Sequence, residues 1–131
     1  MRMPCTYDYA VIRVVPRVER EEFVNVGVIV SCPARKLLEA RIEMDEKRVL
    51  ALDPAIDLEL LRRHLATIPR ICAGGDEAGA IGRLTPRERF RWLTAIRSTM
   101  IQCSAVHTGQ CEQDEDVVVR LLDTMVRAQP A

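Results

Sequence analysis

An α+β fold class follows from three observations on this 131-residue chain. Its first third alternates apolar and polar residues with the period of strands, its remainder changes to helical spacing, and short turns join the early strands. Together they predict an antiparallel sheet of three to four strands, laid down as an N-terminal meander. About three C-terminal helices pack on it in two layers, within one domain over 1–131.

The first strand is Tyr7 to Val15, rich in aromatic and β-branched residues and stopped by Pro16. The second, Phe23 to Cys32, has the clearest period of two, with Val24, Val26, Val28, Val30 and Cys32 expected on one face. A third sets Leu38, Ala40, Ile42 and Met44 opposite Leu37, Glu39, Arg41 and Glu43. Helical spacing begins after Asp53-Pro54, a cap and first-turn pair, and carries Leu58, Leu61, Leu65 and Ile68 as far as Pro69. A second helix opens at Thr85-Pro86 with Glu88 completing a capping box, and its stripe is Phe90, Leu93 and Ile96 with Trp92 beside it. The last starts near Asp114 and carries Val117, Val118, Leu121, Leu122, Met125 and Val126.

Charge is balanced, with 19 Lys plus Arg against 19 Asp plus Glu, so no global field draws the chain to nucleic acid or anionic lipid. No apolar run reaches the roughly 20 residues of a membrane span, and the N-terminus lacks the apolar core of a secretory signal, which makes a cytoplasmic location the expectation. Five cysteines without a CxxC pair read as reduced core residues rather than a disulfide framework.

Polar chemistry concentrates in Thr99 to Cys111, between the second and third helices. This stretch holds Thr99, Gln102, Ser104, His107 and Thr108, and it follows a helix carrying Arg87, Arg89, Arg91 and Arg97. Those arginines read first as a solvated face paired with Glu112, Asp114, Glu115 and Asp116. Arg97 is the exception, because its guanidinium beside Ser98 and Thr99 suits bidentate contact with phosphate or carboxylate. His107 is the residue suited to general acid or base work, although a turn-stabilising histidine is the commoner role. Asp8, Glu22 and Asn25 can bring further polar groups from the sheet.

Other motifs carry less. The Gly-rich stretch Ala73 to Arg83 lacks the Lys and hydroxyl of a phosphate loop and contains Asp76 and Glu77, so it reads as a linker. Cys103, His107 and Cys111 form CxxxHxxxC, but regular backbone separates the outer ligands by roughly 12 Å or more, too far for one ion. Neither metal nor cofactor is expected, and Ser104 or Cys103 as a nucleophile has no elbow or triad motif.

Two segments, YDYAVIRVVPRVEREEFVNVGVIVSCP and ERFRWLTAIRSTMIQCSAVHTGQC, resemble the bacterial family Domain of Unknown Function 3037, and the resemblance extends over nearly the whole chain. It implies that Glu22, Phe23, Asn25, Gly27, Arg97, Ser98, Ser104, His107, Thr108 and Gly109 belong to family motifs, without assigning them roles. It also implies an accessory setting beside kinase-like proteins similar to high-persistence toxins, a toxin–antitoxin-like context.

The leading expectation is a binding or accessory module that holds an anionic group with Arg97, Ser98, Thr99, Gln102, Ser104 and Thr108, supplemented by Asn25 and Glu22. The anion belongs to a phosphate-bearing ligand, an RNA or a phosphorylated protein. A second expectation is a metal-independent phosphodiesterase or nuclease with His107 as general acid or base. A third is a protein-binding partner of a kinase-like protein, with its interface around Phe90 and Trp92. Oligomeric state is left open.

Overall fold

The computed structural model describes residues 4–112 and 114–128. In chain order come β1 (Cys5–Val14), β2 (Val24–Cys32), β3 (Leu37–Ile42), α1 (Glu46–Leu52), α2 (Leu58–Ala73), α3 (Pro86–Thr94), β4 (Ile101–Cys103), β5 (His107–Cys111) and α4 (Val117–Leu121). A π-helical turn, Leu122–Val126, continues α4. The α+β class and the antiparallel N-terminal meander are as the sequence predicts, with strand order β3-β2-β1. None of the described helices is long and apolar enough to cross a membrane.

Beyond the meander, the polar stretch after α3 supplies two more strands. β4 and β5 both pair antiparallel with β1, end to end along its free edge: Ile101–Cys103 against Ile12–Val14, and His107–Cys111 against Cys5–Tyr9. Three residues, 104–106, face two of β1 between these ladders, so the register slips by one, as in a β-bulge. A second irregularity lies across the sheet, where Ile12 pairs with Gly27 and Arg13 with Asn25, which leaves Val26 extra.

That bulge divides the valine row of β2. Val24 and Val26 join a core with Ile12, Val14, Leu61, Leu65, Phe90 and Leu93, whereas Val28, Val30 and Cys32 pack with Val117, Val118, Leu121 and Leu122. The five residues expected on one face therefore serve two cores. The expected two layers become three, with α2 and α3 over one face of the sheet and α4 with its π-turn over the other. Gly27 is required at the bulge, since a Cβ there would lie 2.5 Å from the Arg41 carbonyl oxygen of β3.

Helix boundaries depart from the sequence expectation in several places. A helix not foreseen, α1, is capped by Asp45, which accepts from the N–H groups of Lys47 and Arg48. Asp57 rather than Asp53 caps α2, through Leu60 N–H, and Asp53 instead accepts from Ala55 N–H in the preceding turn. Pro69 lies inside α2 instead of ending it. Interior proline costs a helix about 3 kcal/mol, but Ile71 and Cys72 beyond it are buried, and tertiary packing outweighs the local penalty.

Arg89 ties the two helices of that layer together. This buried residue of α3 donates from Nη1 to the carbonyls of Ile71 (2.9 Å) and Cys72 (2.6 Å) at the end of α2, and from Nε to Leu84 (3.1 Å). Carbonyls at a helix C-terminus have no partner within the helix, and the cation both satisfies them and opposes the negative end of the dipole. Arg89→Met, which keeps most of the volume, should lower the unfolding free energy by roughly 1.5–3 kcal/mol in urea melts, the range for hydrogen bonds to a charged group. A change below about 0.5 kcal/mol would show that the guanidinium is dispensable.

Candidate functional site

Most polar residues of the 99–111 segment are engaged in building the sheet edge and the end of α3. Arg97 lies just past α3 and folds back on it, donating to the carbonyls of Trp92 (2.6 Å), Leu93 (3.0 Å) and Ala95 (3.2 Å). Its guanidinium also stacks 4.7 Å from the Trp92 ring centroid. A guanidinium has five N–H donors, so these three bonds leave two for anything else. Ser104 repairs the bulge: its N–H donates to Val11 O (2.8 Å), and its Oγ accepts from Val11 N–H (2.9 Å) where a ladder carbonyl would stand. Thr99 Oγ1 donates to Ile101 O and Gln102 Nε2 to Thr99 O, bonds that fix the turn into β4.

Thr108 belongs to a different network. Its hydroxyl donates to Asp8 Oδ1 (2.7 Å), and Arg87 of α3 reaches Asp8 Oδ2 at 2.8 Å. The Thr108 hydroxyl is the main cause holding the Asp8 carboxyl below its ordinary range; burial opposes it, and the hydrogen bond and charge of Arg87 add to the lowering. Arg87 therefore finds its acid on β1, and Arg83 finds Asp76 on the linker. The expected pairing with the 112–116 acids does not form there; Glu115 instead meets Arg120, whose other amino group donates to Tyr7 Oη. Tyr7 lies so close over Gly109 that a Cβ on the glycine would be 2.6 Å from the ring.

His107 sits opposite Tyr9 in the ladder, and the two rings are 5.5 Å apart between centroids. Tyr9 packs toward the core under α4, whereas Arg97 stands at the end of α3 on the other side of the sheet. The expected convergence of Arg97 and His107 on one cavity does not occur. Ser98 is exposed beside Arg97, Asn25 donates to Met125 O (3.0 Å) and thereby holds the π-turn, and Glu22 pairs with Arg20 in the β1–β2 connection. Cys103 faces the α2–α3 core while Cys5, Cys111 and Cys32 share the other. CxxxHxxxC is thus divided between the two sides of the sheet. Burial raises the Cys103 thiol to about 11, partly offset by Arg97, and the Cys72 thiol to about 12, which suits neither to nucleophilic work.

What the segment does help to form is a cleft of about 350 Å³ between α2 and the chain from Trp92 to Cys103. Arg97, Thr99 and Gln102 line it, together with His64, Thr67, Ile68, Trp92 and Leu93. Next to it, an apolar hollow of about 480 Å³ is bordered by Val18, Leu60, Leu61, Met100 and Ile101, and shares His64 and Thr99 with the first. His64, not His107, is the imidazole near Arg97. Sequence reasoning passed over it because it lies among the exposed charges of α2; the signal was its place one turn before Ile68 and Pro69, on the flank of the buried stripe.

Ile96 also departs from expectation. It lies beyond the end of α3 and is fully exposed rather than part of the core stripe, while Phe90 is buried and Trp92 is 41% exposed. Trp92 lines the first hollow and Leu60 and Met100 the second, so both have exposed apolar walls.

A pH prediction follows from Asp8. Its folded carboxyl titrates below the unfolded one, so the stabilisation is fully present above the unfolded value of about 4 and is lost as pH falls through the folded value. Asp8→Asn should therefore be less stable than the parent at pH 7, and the gap should close by about pH 2 in acid-dependent melts. Curves that stay parallel throughout this range would remove the Thr108–Asp8–Arg87 network as the cause.

No curated protein and no solved structure matches this chain. A family model described as Protein of unknown function (DUF3037) matches residues 9–126, from the middle of β1 to the end of the π-turn, and the chain belongs to that family.

Proposed function

We propose that this domain is a protein-binding accessory module that docks an apolar segment with acidic flanks in the paired hollows between α2 and the chain from Trp92 to Cys103. The observation that carries this reading is the exposed apolar surface of Trp92, Leu60 and Met100 lining two adjoining hollows, with the fully exposed Ile96 adjacent in sequence to Arg97, which makes three hydrogen bonds to the chain's own carbonyls. Buried water-free contact around tryptophan, arginine and methionine is typical of interface hot spots. Arg97 holds the Trp92 ring in place before any partner arrives, which reduces the ordering cost of binding. The acidic flanks are inferred from Arg63 on α2 and Arg91 on α3, exposed and outside the ion pairs of the described residues. A kinase-like protein, as the family resemblance implies, is the partner class to test first.

The test places a photo-crosslinking residue at 96 in cells and compares it with the same residue at Glu77, an exposed control on the linker. One discrete adduct from 96, absent from 77 and lost on Trp92→Ala, is the expected result. Trp92 is the sole tryptophan, so addition of the purified partner should also shift its fluorescence to the blue. Equal crosslinking from both positions would overturn the reading.

A second reading, a small anionic ligand in the same cleft, is favoured by the presence of His64 and of Arg97 with two uncommitted N–H donors. It requires inorganic phosphate or a nucleotide to raise the melting temperature of the parent and to have no effect on His64→Ala. If no anion shifts melting, the small-ligand reading is removed and the protein-docking one stands.

A further inference from the structure

We propose that the outer edge of β3 is a self-association surface, on which a second copy of this chain adds its own β3 antiparallel about a two-fold axis at Ala40. β3 ends the sheet, and its outer side carries no strand among the described residues. An uncovered edge offers a row of unpaired N–H and C=O groups, which proteins usually blunt with charged side chains (lysine above all), proline, a bulge or a very short strand; the two charges of β3, Glu39 and Arg41, are of opposite sign. The opposite edge is blunted in this way, by strands of three and five residues interrupted at 104–106. β3 is six residues long, LLEARI, with neither proline nor lysine in it and an unbroken register against β2.

The sequence of that strand is complementary to itself. When Ala40 faces Ala40 of the copy, Glu39 stands opposite Arg41, and Arg41 opposite Glu39, so two charge pairs of opposite sign form across the seam on one face. On the other face Leu38 stands opposite Ile42 twice, and both side chains are only partly buried in the single chain. Directly opposed residues are the pairs that stabilise a sheet, and an isologous contact makes each of them twice. A shift of the centre by one residue, to Glu39, would set Glu39 against itself and Arg41 against Leu37. The pattern therefore selects one register.

Beside the edge runs a hollow of about 630 Å³, floored by Ala40, Ile42, Met44, Leu65, Ala66 and Pro69. An added strand covers its open side. Of the cations that line it, Arg62 is neutralised by Glu46 and Arg41 belongs to the seam, so Arg70 is the opposing charge that the backbone ladder and the apolar pairs must outweigh.

Sedimentation equilibrium of the parent, Glu39→Arg, Arg41→Glu and an equimolar mixture of the two variants tests this. The parent should sediment as a dimer at high micromolar concentration. Each single variant turns both attractive pairs into repulsive ones and should weaken dimerisation about tenfold or more. Glu39 and Arg41 also form a pair within one chain, at 3.0 Å, which either variant would break. The mixture separates the two effects, because a heterodimer regains the pairs across the seam while neither chain regains its internal one. Recovery of the parent dimer mass in the mixture is the expected outcome. A parent that stays monomeric to about 0.5 mM, or a dimer unaffected by both variants, would overturn the proposal.

Discussion

The fold depends on filling both edges of β1. The strand pairs with β2 from Asp8 to Val14 on one side, and on the other must find partners that the chain supplies only after α1, α2 and α3 have been built. Unpaired backbone groups in a covered sheet cost as much as lost hydrogen bonds, so this requirement dominates what residues 99–111 can do. Two strands with a bulge between them meet it imperfectly, and Ser104 closes the gap with its own hydroxyl. Late closure of a central strand also makes the sheet a long-range contact, which ties the stability of the first strand to that of the last third of the chain.

From this constraint follows the reassignment of the polar residues. A serine, a threonine, a glutamine and an arginine close together in sequence look like a binding site, but each has structural work: Ser104 in the bulge, Thr108 on Asp8, Gln102 on the turn, Arg97 on the end of α3. Because β5 side chains alternate faces, Thr108 and His107 are sent to opposite sides of the sheet. What remains exposed beside the cleft is chiefly apolar, and the functional reading moves with it, from the segment's polar groups to the surface around Trp92.

The parts legible from sequence are those with local causes. The periods of β1 to β3, the Thr85–Glu88 capping box with both its bonds, and the apolar row of α4 all needed no knowledge of distant residues. Features missed were decided at long range. Val26 is displaced because β1 and β2 differ by one residue in count, and no alternation pattern within β2 reveals that. Pro69 stays in a helix because Ile71 and Cys72 beyond it are buried against distant parts of the chain, and that packing outweighs the local penalty. β4 is three residues long and owes its extended form to β1, so propensity could not announce it. In the candidate site, Arg97, Thr99 and Gln102 were readable, and His64 was not, because its neighbourhood is made by packing α2 against the chain that follows α3.

Balanced composition conceals an uneven distribution of committed charge. Aspartates are drawn into caps, with Asp45, Asp57 and Asp116 each accepting backbone N–H groups, and Asp8 is held between Thr108 and Arg87. A carboxylate used in this way still balances the net charge but projects little of its own field toward a partner. Among the described residues Arg63 and Arg91 enter no ion pair, and they belong to the two helices that frame the cleft. A neutral chain can therefore present a locally cationic surface around an apolar cleft. In the proposed docking such a surface would steer an acidic partner at long range, while the contact around Trp92 would set how long it stays, a division of labour expected when rim charges act on association and the buried centre on dissociation.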